Sequence, residues 1–379
     1  MKQLFFLFAF CLSIYSQAQF NIRFVVNQVP TKANEDIYIM GSFNGWNPKD
    51  EAYKLRPFAG GKKIIVVKNL EPGNYAFKFT RGDMAKVEST ADGRDVPDRV
   101  MEVSADFSYD INIAGWKDDY PEKPKRYSAS PQVRIIDTAF NIPQLQRTRR
   151  IWIYLPKGYG GSSKTYPVVY MHDGQNLFNE QTAYAGEWGV DECLDTLQKK
   201  LGKEAIVVGI DNGGSHRMKE YNWYDHAQYG KGEGQAYIDF ISQTLKPWID
   251  SKYRTKKGPE YTAIAGSSMG GLISMQALMY RGNIFGTAGV FSPSFWIAPQ
   301  IFTEATKQQV PEYARFYLYA GGRESNTLVD EVRKMADILS KKSNYDIRQA
   351  ISPIGAHQEQ YWRNFFPDFY TWWSARWPE

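Results

Sequence analysis

The 379-residue chain carries 46 basic and 41 acidic side chains and is 43% hydrophobic and 15% aromatic, a globular composition long enough for two cores. That balance excludes collagenous, coiled-coil and wholly disordered chains. The formal net charge of +5 is spread without any block of five or six like charges, which argues against nucleic acid as a partner.

Lys2, the apolar run 4–15 and the small residues Ser16 and Ala18 predict a cleavable export signal over residues 1–18. Its apolar run has 12 residues, against about 20 for a membrane-crossing helix. The expected location is therefore secreted or periplasmic, with no membrane partner. Cys11 leaves with the signal, so Cys193 stands alone and no disulfide within the chain is expected.

From 19 to 116, short alternating runs at 37–40, 63–67, 75–79 and 101–103 are separated by Gly41, Gly45, Gly60-Gly61 and Pro72-Gly73. Strands at this spacing, without a helical period, predict a small all-β immunoglobulin-like sandwich. Residues 117–131 are polar, contain Pro121, Pro124 and Pro131, and read as a linker. From 132 to 379, β runs at 150–155, 168–171, 205–210, 261–265 and 316–320 alternate with helical stretches at 191–200, 234–252, 270–280 and 327–341. This alternation predicts an α/β domain whose mostly parallel central sheet is covered on both faces.

The segment Gly266-Ser267-Ser268-Met269-Gly270-Gly271 follows a strand and opens a helix, the setting of a nucleophile elbow. Small residues two before and two after Ser268 permit the sharp turn, whereas Ser267 would be flanked by Ala265 and Met269. A serine hydroxyl needs a base. Of the four histidines, His172, His216, His226 and His357, only His357 follows Ser268, and a nucleophile on an elbow precedes its acid and its histidine in the chain. The acid is expected just after the strand at 315–320, as Glu324, with Asp330 as the fallback. Two backbone donors for an oxyanion are expected at Met269, after the nucleophile, and at Gln175, where Gly174 allows close approach. On this reading His172 and Asp173 are structural.

The long segment from Asn212 to Gly234 should form a wall or lid. Gly174, Trp188, Trp223, Trp296 and Trp362 are expected at the substrate. Gly230, Gly232 and Gly234 lack the preceding strand of a dinucleotide motif, and no HExxH, paired CxxC or P-loop occurs, so no cofactor or metal is expected.

Residues 135–373 resemble the putative esterase family of α/β-hydrolases, which includes family 1 carbohydrate esterases and siderophore esterases. The resemblance rests on MHDGQNLF at 171–178, the GSSMGG elbow, SPSFW at 292–296, AGGRES at 320–325 and the late histidine segment. Relatives often carry aspartate at the acid position, where this chain has Glu324. The resemblance implies ester hydrolysis through an acyl-enzyme, without a cofactor. Residues 37–48, 77–81 and 92–99 resemble a starch-binding or glycogen-recognition type carbohydrate-binding module, with Trp46 at the position that often stacks on sugar. Starch-binding members usually carry a second tryptophan near Glu88, where this chain continues with Ser89.

Together these readings lead to a secreted serine esterase that removes acetyl or feruloyl groups from polysaccharide or oligosaccharide. The alternatives are a siderophore trilactone esterase with the same chemistry and a noncatalytic glycan-binding protein that keeps a hydrolase fold.

Overall fold

The computed structural model describes residues 18–120, 125–325 and 327–377, so nearly all of the expected export signal lies outside the described residues. The chain divides into two compact units, with the boundary between Glu122 and Lys123.

In the first unit, Phe20–Gln28, Arg56–Phe58, Lys62–Leu70 and Phe107–Asn112 form one sheet, while Tyr38–Gly41, Gly73–Thr80 and Arg99–Val103 form another. Side chains alternate across a strand, so Ile22, Phe24 and Val26 share one face and pack with Ile39, Phe77, Phe79 and Met101. The buried Trp116 closes this core, donating its Nε1–H to the Thr31 carbonyl beneath the Arg81 guanidinium. In these two sheets three strands, Phe20–Gln28, Arg56–Phe58 and Phe107–Asn112, add to the four expected from the alternating runs.

The boundary between the units falls inside the 117–131 stretch, and the described residues on either side of it are held to their own unit. Asp118 pairs with Arg81 and Lys32, and Lys32 also holds Asp119. Further on, the Ser128 hydroxyl donates to Glu187 at 2.8 Å and the Ser130 amide to Asp191 at 2.6 Å.

In the second unit eight strands form one sheet: β1 (Val133–Ile142), β2 (Arg147–Tyr154), β3 (Val168–His172), β4 (Ile206–Ile210), β5 (Thr262–Ser267), β6 (Thr287–Phe291), β7 (Arg315–Gly321) and β8 (Asp346–Ser352). Their order is β1-β2-β4-β3-β5-β6-β7-β8. The pairs β1/β2 and β2/β4 are antiparallel and the rest are parallel. Strands β3 to β6 are buried along their whole length because both faces are covered. Val168 and Tyr170 face a core with α2 (Met269–Arg281) and α3 (Leu328–Lys342). Val169 and Met171 face another with α1 (Val190–Leu201) and α4 (Glu359–Ser374).

The helix expected over 234–252 forms with a widened turn at Ile241–Leu245. Pro247 lacks an N–H and crowds the carbonyl four residues earlier, which accounts for the local loss of regular α geometry. Elements not expected from the sequence include β1, β6, α4 and the helices Arg217–Glu220 and Gln300–Lys307. All parallel strands end on the same side, where the loops after β3, β5, β6, β7 and β8 gather the candidate site.

Candidate active site

Ser268 joins β5 to α2 with φ 61° and ψ −122°, a strained backbone for a residue with a side chain. The neighbouring glycines make it possible. A Cβ on Gly266 would lie 3.0 Å from the Gly270 carbonyl carbon and from the His172 ring, and one on Gly271 would lie 2.7 Å from the Phe291 carbonyl oxygen. Strand and helix can therefore cross only if these positions lack side chains. The Ser268 amide donates to the Phe291 carbonyl at 2.9 Å, and the Ser268 hydroxyl lies 3.2 Å from that of Ser294. Met269 is the first residue of α2, so its amide stands at the positive end of a 13-residue helix.

Glu324 follows β7, with a side chain 2% exposed. Its Oε2 lies 2.7 Å from His357 Nδ1. Its Oε1 accepts from the Gly321 amide at 2.8 Å and from the Ser292 hydroxyl at 2.6 Å. Asp330 lies elsewhere: its side chain is 78% exposed on α3 and pairs with Arg333 one turn on. Ser292 also receives the Trp362 Nε1–H at 2.8 Å, and the Trp362 ring stands edge-on to His357.

After β3 the chain turns through Asp173, at φ 55°, into the short turn Gly174–Asn176. Gly174 is buried against β4, where a Cβ would come within 2.8 Å of the Ile210 nitrogen, so its role is to let two backbones meet rather than to touch substrate. Gln175 is half-buried, and its Oε1 accepts from the Asn212 amide at 3.1 Å. Burial would raise the Asp173 carboxyl, but Arg217, at 2.7 and 2.8 Å, and Asn212 hold it below its ordinary value. Burial pushes the His172 imidazole down to about 3, leaving it neutral beside the Tyr237 hydroxyl. Three of the positive-φ residues other than glycine, Asp173, Ser268 and Ser292, thus stand at the carboxyl ends of β3, β5 and β6.

The segment after Asn212 is a pinned wall rather than a lid. Glu220 is fully buried and accepts from Arg149 through both oxygens at 2.7 Å, while Arg147 bridges Glu220 and Glu233.

Two of the four tryptophans expected at the substrate belong instead to the core. Trp188, 2% exposed, packs among Phe291, Trp362 and Phe366. Trp362 is 4% exposed, with its indole N–H committed to Ser292. Their bulk drives burial, and neither presents a face outward. Trp223 is half-buried and stacks on Tyr280 at 4.1 Å, whereas Trp296 is 49% exposed. In the first unit Trp46 is half-buried at φ 58°.

Four further residues were missed from the sequence. Ser292 and Ser294 follow β6, whose Ala288 and Gly289 weaken its strand signal. Asn176 donates to Glu359 at 3.3 Å and accepts from the Tyr184 amide, tying the turn after β3 to the start of α4. Only the quoted SPSFW and MHDGQNLF segments signalled three of them, and nothing marked Glu359. Among the described residues, no cluster of three or more His, Cys, Asp or Glu is placed to hold a metal ion, and no helix is long and apolar enough to cross a membrane.

The family profile described as Putative esterase matches residues 142–372. The chain is 26% identical over 218 residues to the uncharacterized protein YbbA of Bacillus subtilis, an alignment covering 56% of this chain and 81% of that one. It is 24% identical over 224 residues to an endo-1,4-beta-xylanase/feruloyl esterase of Xylanibacter ruminicola, covering 56% of this chain but 27% of that one. The solved ferric enterobactin esterase of Salmonella typhimurium matches with a TM-score of 0.51 at 17% identity, covering 88% of this chain and 87% of that one, a likeness of fold alone.

Proposed function

Since this chain belongs to the putative esterase family and is a carboxylic ester hydrolase, we propose that Ser268, His357 and Glu324 form its catalytic triad and that it deacylates polysaccharide or oligosaccharide outside the cytoplasm. The observation that carries the triad is the 2.7 Å contact between Glu324 and His357 Nδ1, in a chain whose elbow serine is held at positive φ. A carboxylate at Nδ1 fixes the tautomer in which Nε2 is the basic nitrogen.

In the first half-reaction His357 Nε2 takes the Ser268 hydroxyl proton as Oγ attacks the ester carbonyl carbon. The carbonyl oxygen gains the negative charge and is held by the Met269 and Gln175 amides. The tetrahedral intermediate collapses, the C–O bond to the alcohol breaks, and His357 returns its proton to the leaving oxygen. Water, deprotonated by His357, then attacks the acyl-enzyme, and the free acid departs as Ser268 regains its proton.

An acetyl or feruloyl ester of a sugar is the preferred substrate. Exposed Trp296, two residues beyond the serine that meets Ser268 Oγ, supplies an aromatic face for an acyl or sugar ring. A relative of the same domain is named for feruloyl esterase activity. The first unit is read as an immunoglobulin-like carbohydrate-binding module, with the half-exposed Trp46 as its stacking ring, and residues 1–18 as a signal directing export. A siderophore trilactone is the second substrate class, raised by the fold likeness to an enterobactin esterase.

The test is hydrolysis by the full chain of an aryl acetate, methyl ferulate, acetylated xylan and a siderophore trilactone, with released acid identified by mass. Turnover of the carbohydrate or ferulate esters well above the trilactone is expected. Exclusive turnover of the trilactone would replace the substrate assignment while leaving the chemistry intact.

A further inference from the structure

The two oxygens of Glu324 are used differently. Oε2 faces His357, whereas Oε1 receives the Gly321 amide and the Ser292 hydroxyl. A serine has one O–H to give, and here it points to the carboxylate at 2.6 Å. The Trp362 indole N–H can only donate, so its 2.8 Å contact enters the Ser292 oxygen. Directions are therefore fixed along a buried chain from Trp362 through Ser292 to Glu324 and on to His357. Ser292 holds its place at φ 44°, with its amide bonded to the Tyr319 carbonyl at 2.9 Å. The Trp362 ring also stands against His357, 5.1 Å between centroids at 89°, so one side chain supports both the acid and the base.

We propose that Ser292 and Trp362 are positioning residues of the reaction, whose donor chain locks the Glu324 carboxylate with Oε2 toward the histidine. This inference rests on the triad reading above. In a buried setting consecutive donors polarise one another, so the Trp362 N–H strengthens the Ser292 O–H as a donor. Two donors on Oε1 prevent the carboxylate from rotating and draw off part of its negative charge. Without the Ser292 hydroxyl, the carboxylate turns more freely and gives more of its charge to the imidazolium. Catalysis then slows while protonated His357 is favoured. Charged or titratable groups of the described residues facing this pair include Glu359, with Asp173 and Arg217 behind it, on the His357 side, and Tyr319 on the Glu324 side. They are the same in every variant below.

Full-length Ser292→Ala, Trp362→Phe and Glu324→Gln are compared with the parent on an aryl acetate across pH, with a thermal melt of each. Ser292→Ala is expected to lose about 10- to 100-fold in kcat with KM within about two-fold, and to move the acid limb of kcat/KM to higher pH by about half a unit or more. Trp362→Phe should move it the same way by less. A fall in melting temperature with the acid limb unmoved in both variants means packing alone and overturns the proposal. If Ser292→Ala does not fold, Trp362→Phe carries the test by itself. Glu324→Gln separates the two readings: near-parent turnover there refutes the acid assignment, whereas its loss beside an unmoved limb in Ser292→Ala refutes only the positioning chain.

Discussion

A side chain at Gly271 would meet the Phe291 carbonyl oxygen at 2.7 Å, and that same oxygen accepts the Ser268 amide. Gly271→Ala should therefore push α2 away from β6 and disturb the nucleophile. A loss of about 1–3 kcal/mol in stability, with a larger proportional loss of ester turnover, is expected from a denaturant melt and an aryl acetate assay. An unchanged melt would show that the crossing tolerates a methyl group. At the acid position the contrast is between neighbours in sequence. Asp330→Asn should leave kcat at the parent value, because that carboxylate is exposed and pairs with Arg333 of its own helix; a loss of turnover would reopen the choice of acid.

The wall after Asn212 behaves as one element because Glu220 ties it to β2. Glu220→Gln leaves Arg149 buried without its counter-charge, and removing one partner of a buried pair costs about 3–5 kcal/mol. A lowered melting temperature and faster amide exchange across 212–233 are expected; unchanged exchange there would mean the wall is held by something else. The elbow was legible because strand, small residues and helix lie within one short window, and His357 was legible by elimination. The aromatic helix α4 was hidden by Pro367, which falls inside it. Missing β6 also hid Ser292, whose partners Glu324 and Trp362 lie 32 and 70 residues away. Trp188 and Trp362 were misplaced because residue type alone does not distinguish a ring that faces substrate from one that fills the core.

Over the second unit two buried groups set opposing pH slopes. His172 is pushed from 6.5 to about 3 by burial. Below pH 6.5 the unfolded chain binds a proton that the folded chain refuses, so stability falls on acidification toward about 3. Asp191, fully buried beside Glu192, is pushed up to about 7 mainly by burial. Its folded form keeps a proton the unfolded chain has lost, so stability falls as pH rises from about 4 to about 7. Between about pH 4 and 6.5 the two slopes therefore have opposite sign. Urea denaturation in that window should show His172→Gln tilting toward lower stability at higher pH and Asp191→Asn tilting the other way. Parallel slopes in the two variants would contradict both assignments.

Acyl transfer through Ser268 requires a covalent intermediate on its Oγ. The direct measurement is peptide mass mapping of the full-length protein after treatment with an organophosphonate ester, which phosphonylates an activated serine. One adduct on Ser268 is predicted, absent from Ser268→Ala and formed far more slowly in His357→Ala. An adduct on another serine, or ester hydrolysis that persists in Ser268→Ala, would contradict it.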